Sequence, residues 1–156
     1  MSAYVSVELK IRIRHHFVNC CAYCRTAENL TVAIFEVEHI VPRSKGGDTI
    51  FENICLACPT CNRYKSDRTT AIDPLTTKEV ALFHPHLDTW SRHFAWNDAA
   101  TELLSRTPIG RATIAALRMN REQLTGRRVA SCQWMSWFGR SNWMHFAIAC
   151  GQLGLL

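Results

Sequence analysis

The sequence predicts an α+β fold: two short strands packed on one short helix, fastened by two CxxC knuckles and followed by a C-terminal helical segment. Three observations carry this. AIFEVEHIV is rich in β-branched residues and reads as a strand, and NICLA reads as a second. Pro59 opens PTCNRYKSDR, at the first helical position where proline is tolerated best. Cys21-x2-Cys24 and Cys58-x2-Cys61 stand before the first strand and after the second.

At 156 residues and 47% hydrophobic content the chain suits one domain, or a small domain with an appended segment. The composition changes at Asp73-Pro74, which divides a knuckle-bearing core (1–73) from an aromatic-rich, helical extension (74–156). Eighteen Lys+Arg against thirteen Asp+Glu give a net charge of +5, compatible with a nucleic-acid partner without establishing one. The stretch MSAYVSVELKIRIRHHF has no apolar signal region, so the sequence reads as cytoplasmic. A disulfide framework is then disfavoured, and metal binding is the leading account of eight cysteines. WMHFAIACGQLGLL is too short to span a bilayer and carries His145 and Gln152, so no membrane partner is expected.

Taken in order, residues 4 to 18 fit two patterns. Val5, Val7, Leu9, Ile11 and Ile13 alternate as a strand would, while Val7, Ile11, Arg14 and Val18 share one helical face. NCCAYC is a tight knuckle, and PRSKGGD between the strands is a loop by its Pro, Gly and Asp. Thr107-Pro108 supplies an N-cap and an N1 proline for a helix over 108–125, striped by Ile109, Ala112, Ala116, Leu117 and Leu124. The last stretch holds Trp134, Trp137 and Trp143 with few charges. It is either a docking surface for another copy or a protein partner, or a flap folded over that helix.

Cys21, Cys24, Cys58 and Cys61 offer four thiolates in two pairs, the arrangement of a closed tetrahedral Zn²⁺ site with bonds of about 2.3 Å. Cys20 abuts the first pair, and Cys55-x2-Cys58 overlaps the second. Cys20, Cys55, Cys132 and Cys150 read as buried small hydrophobes, with Cys55 turned to the opposite sheet face from Ile54 and Leu56.

Zinc has no use for the polar groups nearby. Glu38 and His39 end the first strand, and Asn62 opens the helix beside the second knuckle. A strand pair packed on that helix is expected to gather Glu38, His39 and Asn62 in one cleft. A carboxylate and an amide carbonyl suit a hard divalent ion, and an adjacent imidazole takes protons near neutral pH. Those parts suit phosphodiester hydrolysis.

The segment CAYC…VEHIVPRSKGG…ENICLACPTCNRYKSD resembles the HNH endonuclease family in its zinc-knuckle form, over roughly residues 10 to 70. The resemblance implies a ββα-metal core and cleavage of DNA to 5′-phosphate and 3′-hydroxyl ends. It implies that His39 is the general base, that Glu38 and Asn62 hold a catalytic Mg²⁺ or Mn²⁺, and that Asn53 braces the loop that aims the ring. It also implies that Lys65 holds a phosphate oxygen. Glu38 stands where aspartate is commoner, and Asn62 where the family's last histidine often stands. Arg43, Lys45 and Arg63 are further candidates for phosphate contact. His84, His86 and His93 read as structural or solvated residues rather than a second metal site. Two rival readings are a zinc module that binds nucleic acid or protein without cutting it, and a nuclease subunit that works only in a larger complex.

Overall fold

The computed structural model describes residues 5–121. The Trp-rich tail, Cys132, Cys150 and the end of the 108–125 segment lie outside them.

The first helix, α1 (Val7–His16), settles the ambiguous N-terminal stretch. Ser6 caps it by accepting from the Leu9 N–H at 3.2 Å, and Arg14, His15 and His16 sit at the negative end of its dipole. A cap and a matched charge at each end outweigh the strand-like alternation, and Val7 and Ile11 consequently stay exposed. Arg14 then pairs with Glu28, whose other oxygen accepts the Phe35 N–H at 2.6 Å. This brace ties the knuckle loop to α1.

Strands β1 (Glu36–His39) and β2 (Ile54–Ala57) pair antiparallel, from Glu36 opposite Ala57 to His39 opposite Ile54. β1 is shorter than its β-branched run, because only four residues find partners on β2. All four residues of β2 are buried. Helix α2 (Pro59–Lys65) begins at Pro59 as expected, and its N-cap is Cys58, whose sulfur accepts from the Cys61 N–H at 3.4 Å.

Residues 74–121 pack on the same core. Hairpins β3 (Thr70–Ile72)/β4 (Glu79–Ala81) and β5 (Phe94–Trp96)/β6 (Leu103–Ser105) flank the short helix α3 (Trp90–His93). The Trp90 indole donates to the Tyr23 carbonyl at 2.9 Å inside the first knuckle. Asp73, buried, accepts two 2.7 Å bonds from Arg111 of the last helix, α4 (Pro108–Ala116), so the join at 73 is fastened to the far end of the described chain. Thr107 caps α4 by accepting from the Gly110 N–H at 3.1 Å. The helix ends at Ala116, earlier than its stripe predicts, and Arg118 beyond it has a left-handed φ of 47° that no α-helix continues through. Among the described residues no helix is long and apolar enough to cross a membrane.

Candidate active site and metal centre

The first knuckle forms because the chain turns back at Arg25, which takes a left-handed φ of 58° and donates its N–H to the Cys21 carbonyl at 3.0 Å. The Ala22 N–H donates to the Leu56 carbonyl at 2.8 Å, which holds this turn against β2. The second knuckle is the first turn of α2. Together they bring the sulfurs of Cys21, Cys24, Cys58 and Cys61 within 4.8 Å of one another, all buried, with Cys24 and Cys58 at 3.9 Å. A tetrahedron with bonds of about 2.3 Å has edges of about 3.8 Å, so the set fits a zinc ion. Cys20 is buried but takes no part in the four. The Arg121 guanidinium lies 3.9 Å from the Cys58 sulfur, where it offsets thiolate charge.

β1 distributes the polar groups on alternate faces. Glu36 and Glu38 face α2, and His39 faces the loop. Glu38, His39 and Asn62 each take a different partner across the seam. Glu38 is 5% exposed. Its Oε2 accepts from the Tyr23 hydroxyl at 3.0 Å and from the Cys55 thiol at 3.4 Å, and its Oε1 is paired with the Lys65 ammonium. Burial pushes its carboxyl up from the usual value, against the downward pull of Lys65, Cys55 and Tyr23. Cys55 does turn away from Ile54 and Leu56, but it is a hydrogen-bonding partner of Glu38 as well as a small apolar group. Asn62 meets Glu36 instead of Glu38, with its amide nitrogen donating to Glu36 Oε2.

Lys65 corrects a second expectation. It is 1% exposed and its ammonium, besides pairing with Glu38, donates to the His39 carbonyl at 2.9 Å. A buried ammonium with both contacts inside the protein is not, in this arrangement, a phosphate contact. It is the pin between α2 and the end of β1.

His39 Nε2 lies 2.9 Å from Thr49 Oγ1, and the ring is partly exposed. Burial, then the positive charges of Arg43 and Lys65, hold its pKa below the ordinary histidine value. That direction favours the unprotonated ring, the state a base requires.

The loop behind it is tied by Asn53. Its Oδ1 accepts from the Val41 N–H at 2.9 Å, and its amide donates to the carbonyls of Val41 at 3.1 Å and Asp48 at 2.9 Å. Gly46, at φ 82°, closes the short helical turn of Arg43–Lys45, leaving both of those cations exposed. At Gly47 a Cβ would lie 1.8 Å from the Val41 carbonyl oxygen and 2.8 Å from the Asn53 amide, so only glycine lets the loop close on Asn53. Arg63 is exposed on α2.

The histidines of the second half are packing groups. His86 Nε2 is 2.8 Å from the Ile54 carbonyl, His84 Nδ1 accepts from the N–H groups of His86 and Leu87, and His93 Nδ1 is 2.7 Å from Thr107 Oγ1.

Sequence reasoning missed Glu36, Tyr23 and Thr49. Glu36 had a signal, since it lies two residues before Glu38 on the same strand face. Tyr23 sits inside the first knuckle, and nothing in the spacing points it at Glu38. Thr49 carries no signal, because only the loop's path brings it to His39.

Residues 21–68 match the family model described as HNH endonuclease. That span runs from the first cysteine of the zinc set through β1, the Asn53 loop, β2 and α2, and the α+β arrangement of these elements fits that family's ββα-metal fold. No curated protein and no solved structure matches the chain.

Proposed function

We propose that this protein is a metal-dependent endonuclease that hydrolyses DNA phosphodiester bonds and leaves 5′-phosphate and 3′-hydroxyl ends. The observation that carries the reading is His39: a partly exposed imidazole at the end of β1, held by Thr49, on a loop braced by Asn53. In the tautomer where Nε2–H donates to Thr49, Nδ1 keeps its lone pair and takes a proton from water. The hydroxide so formed attacks phosphorus, the P–O3′ bond breaks as the new P–O bond forms, and the leaving 3′ oxygen takes a proton from solvent water to end as the 3′-hydroxyl. Arg43 and Lys45 on the same loop, with Arg63 on α2, meet the phosphates on either side. Asn53 acts as a positioning residue, because its bonds are to the backbone that carries the ring.

The oxygens of Glu36, Glu38 and Asn62 along the seam of β1 and α2 form a hard donor set, which suits Mg²⁺ or Mn²⁺. Such an ion supplies charge stabilisation at the phosphoryl group and the leaving oxygen. The four sulfurs keep zinc out of that chemistry, since a four-thiolate site has no open position.

A second reading, a zinc module that binds nucleic acid or a protein without cutting, draws on the covering of Glu38 by Lys65. One experiment separates the two. Zinc-loaded protein is incubated with supercoiled plasmid in Mg²⁺, in Mn²⁺ and in EDTA, and the ends of any product are sequenced. Ion-dependent nicks with 5′-phosphate ends are expected. Retardation of the plasmid without nicks in either ion would establish the binding module instead.

A further inference from the structure

We propose that Lys65 is a tethered stand-in for the divalent ion: its ammonium occupies the cation position against Glu38 in the ion-free chain, and a divalent ion binds there only by displacing it. The inference rests on the nuclease reading, since it concerns the ion which that reading requires.

The seam between β1 and α2 is lined by oxygens and holds one cation. Glu36 and Glu38 stand two apart on the strand, and Asn62 and Lys65 three apart on the helix, so the two pairs face each other. Glu36 meets Asn62, and Glu38 meets Lys65. Tyr23 and Cys55 already occupy Glu38 Oε2, which leaves Oε1 as the oxygen open to a cation, and the Lys65 ammonium has it. Lysine is almost never this deeply buried unless paired, because its ammonium gives up water on burial. Here it recovers two oxygens, Glu38 Oε1 and the His39 carbonyl. A divalent ion on the same carboxylate would repel the ammonium at a few ångströms in a poorly solvated place. Ion entry and lysine exit are therefore one event.

Two consequences follow. The affinity for the ion is lowered by the fraction of time that Lys65 is away from Glu38. A bound phosphodiester adds anionic oxygens to the seam and favours the ion over the lysine, so ion and nucleic acid bind with positive coupling.

The test uses the zinc-loaded full chain without nucleic acid. Mn²⁺ binding is followed through the electron paramagnetic resonance signal of the free ion, for the wild type, Lys65→Met and Glu38→Gln. Acetylation of Lys65 in the wild type is followed by mass spectrometry with and without Mn²⁺. Lys65→Met is expected to bind Mn²⁺ more tightly by roughly tenfold or more, the factor for a competent state populated at about one part in ten or less. Glu38→Gln is expected to lose the site, and Lys65 is expected to be protected without Mn²⁺ and acetylated with it. Equal or weaker binding by a zinc-retaining Lys65→Met, or protection of Lys65 unchanged at saturating Mn²⁺, overturns the proposal. Should Lys65→Met fail to hold zinc, wild-type acetylation decides alone. Mn²⁺ bound with Lys65 still protected removes this inference and leaves the nuclease reading standing. No Mn²⁺ binding to any form at millimolar concentration removes the ion from both.

Discussion

Helix α2 has two ends that solve different problems. At its start Cys58 and Cys61 join Cys21 and Cys24 in a buried, purely sulfur site whose four atoms already lie at the spacing an ion needs. One turn later Asn62 and Lys65 face a strand of carboxylates, and every polar group is occupied by a protein partner: Asn62 by Glu36, Lys65 by Glu38, and, across the strand, His39 by Thr49. The sulfur end is complete once its ligands are placed. On the nuclease reading, the oxygen and imidazole end is held in position by contacts that an incoming ion, water or phosphate has to take over. A structural centre can be closed because nothing enters it, whereas a reactive one must be held without being finished.

The contrast breaks most visibly at the sulfur end. Cys58→Ser is expected to cost the fold: zinc in such sites contributes about 10–16 kcal/mol, as much as the whole stability of an ordinary domain. Elemental analysis should show zinc falling from one per chain, with loss of the cooperative thermal transition. A folded, zinc-free variant would mean the core does not depend on the ion.

At the other end His39→Ala should leave zinc content and melting temperature nearly unchanged and lower plasmid cleavage by about a hundredfold or more, the usual contribution of a general base. Retained cleavage would move the base elsewhere and undo the distinction between the two ends.

Asn53→Ala sharpens the comparison, because it removes the brace and leaves the ring. The Val41 N–H and the Val41 and Asp48 carbonyls lose their partner, a cost of about 1–3 kcal/mol. Denaturant titration should register that loss, and kcat should fall with little change in KM. Gly47→Ala should act in the same direction by pushing the Val41 carbonyl out of the Asn53 grip.

The smallest expected effect is electrostatic. A base works unprotonated, so cleavage rises with pH through the His39 pKa, which burial and then Arg43 and Lys65 hold below the ordinary value. Arg43→Ala removes one positive charge, the imidazolium becomes easier to form, and the pKa rises. The acid limb of the pH–rate profile should move to higher pH. A limb that stays put or moves to lower pH would show that Arg43 does not act on the ring.

Among the described residues the knuckles, both strands of the first sheet and the start of α2 were legible from local signals: CxxC spacing, β-branched runs, a proline at N1. The two later hairpins were not, because three-residue strands show too little alternation to stand out from loops. The joining of residues 74–121 to the core was equally hidden, since it depends on Trp90 reaching Tyr23 and on Arg111 reaching Asp73 across the chain.

By itself the sequence determined which ion the four sulfurs can close around, and which residue types stand at the oxygen and imidazole end, because both are matters of ligand chemistry and short spacing. Only the tertiary structure decided what each of those residues touches. Strand alternation sent Glu38 and His39 to opposite faces, the packing of α2 on β1 gave Glu38 to Lys65 and Asn62 to Glu36, and the path of the loop brought Thr49 to the imidazole. Those pairings depend on how elements lie against each other, and buried polar groups take the partners that packing leaves within reach.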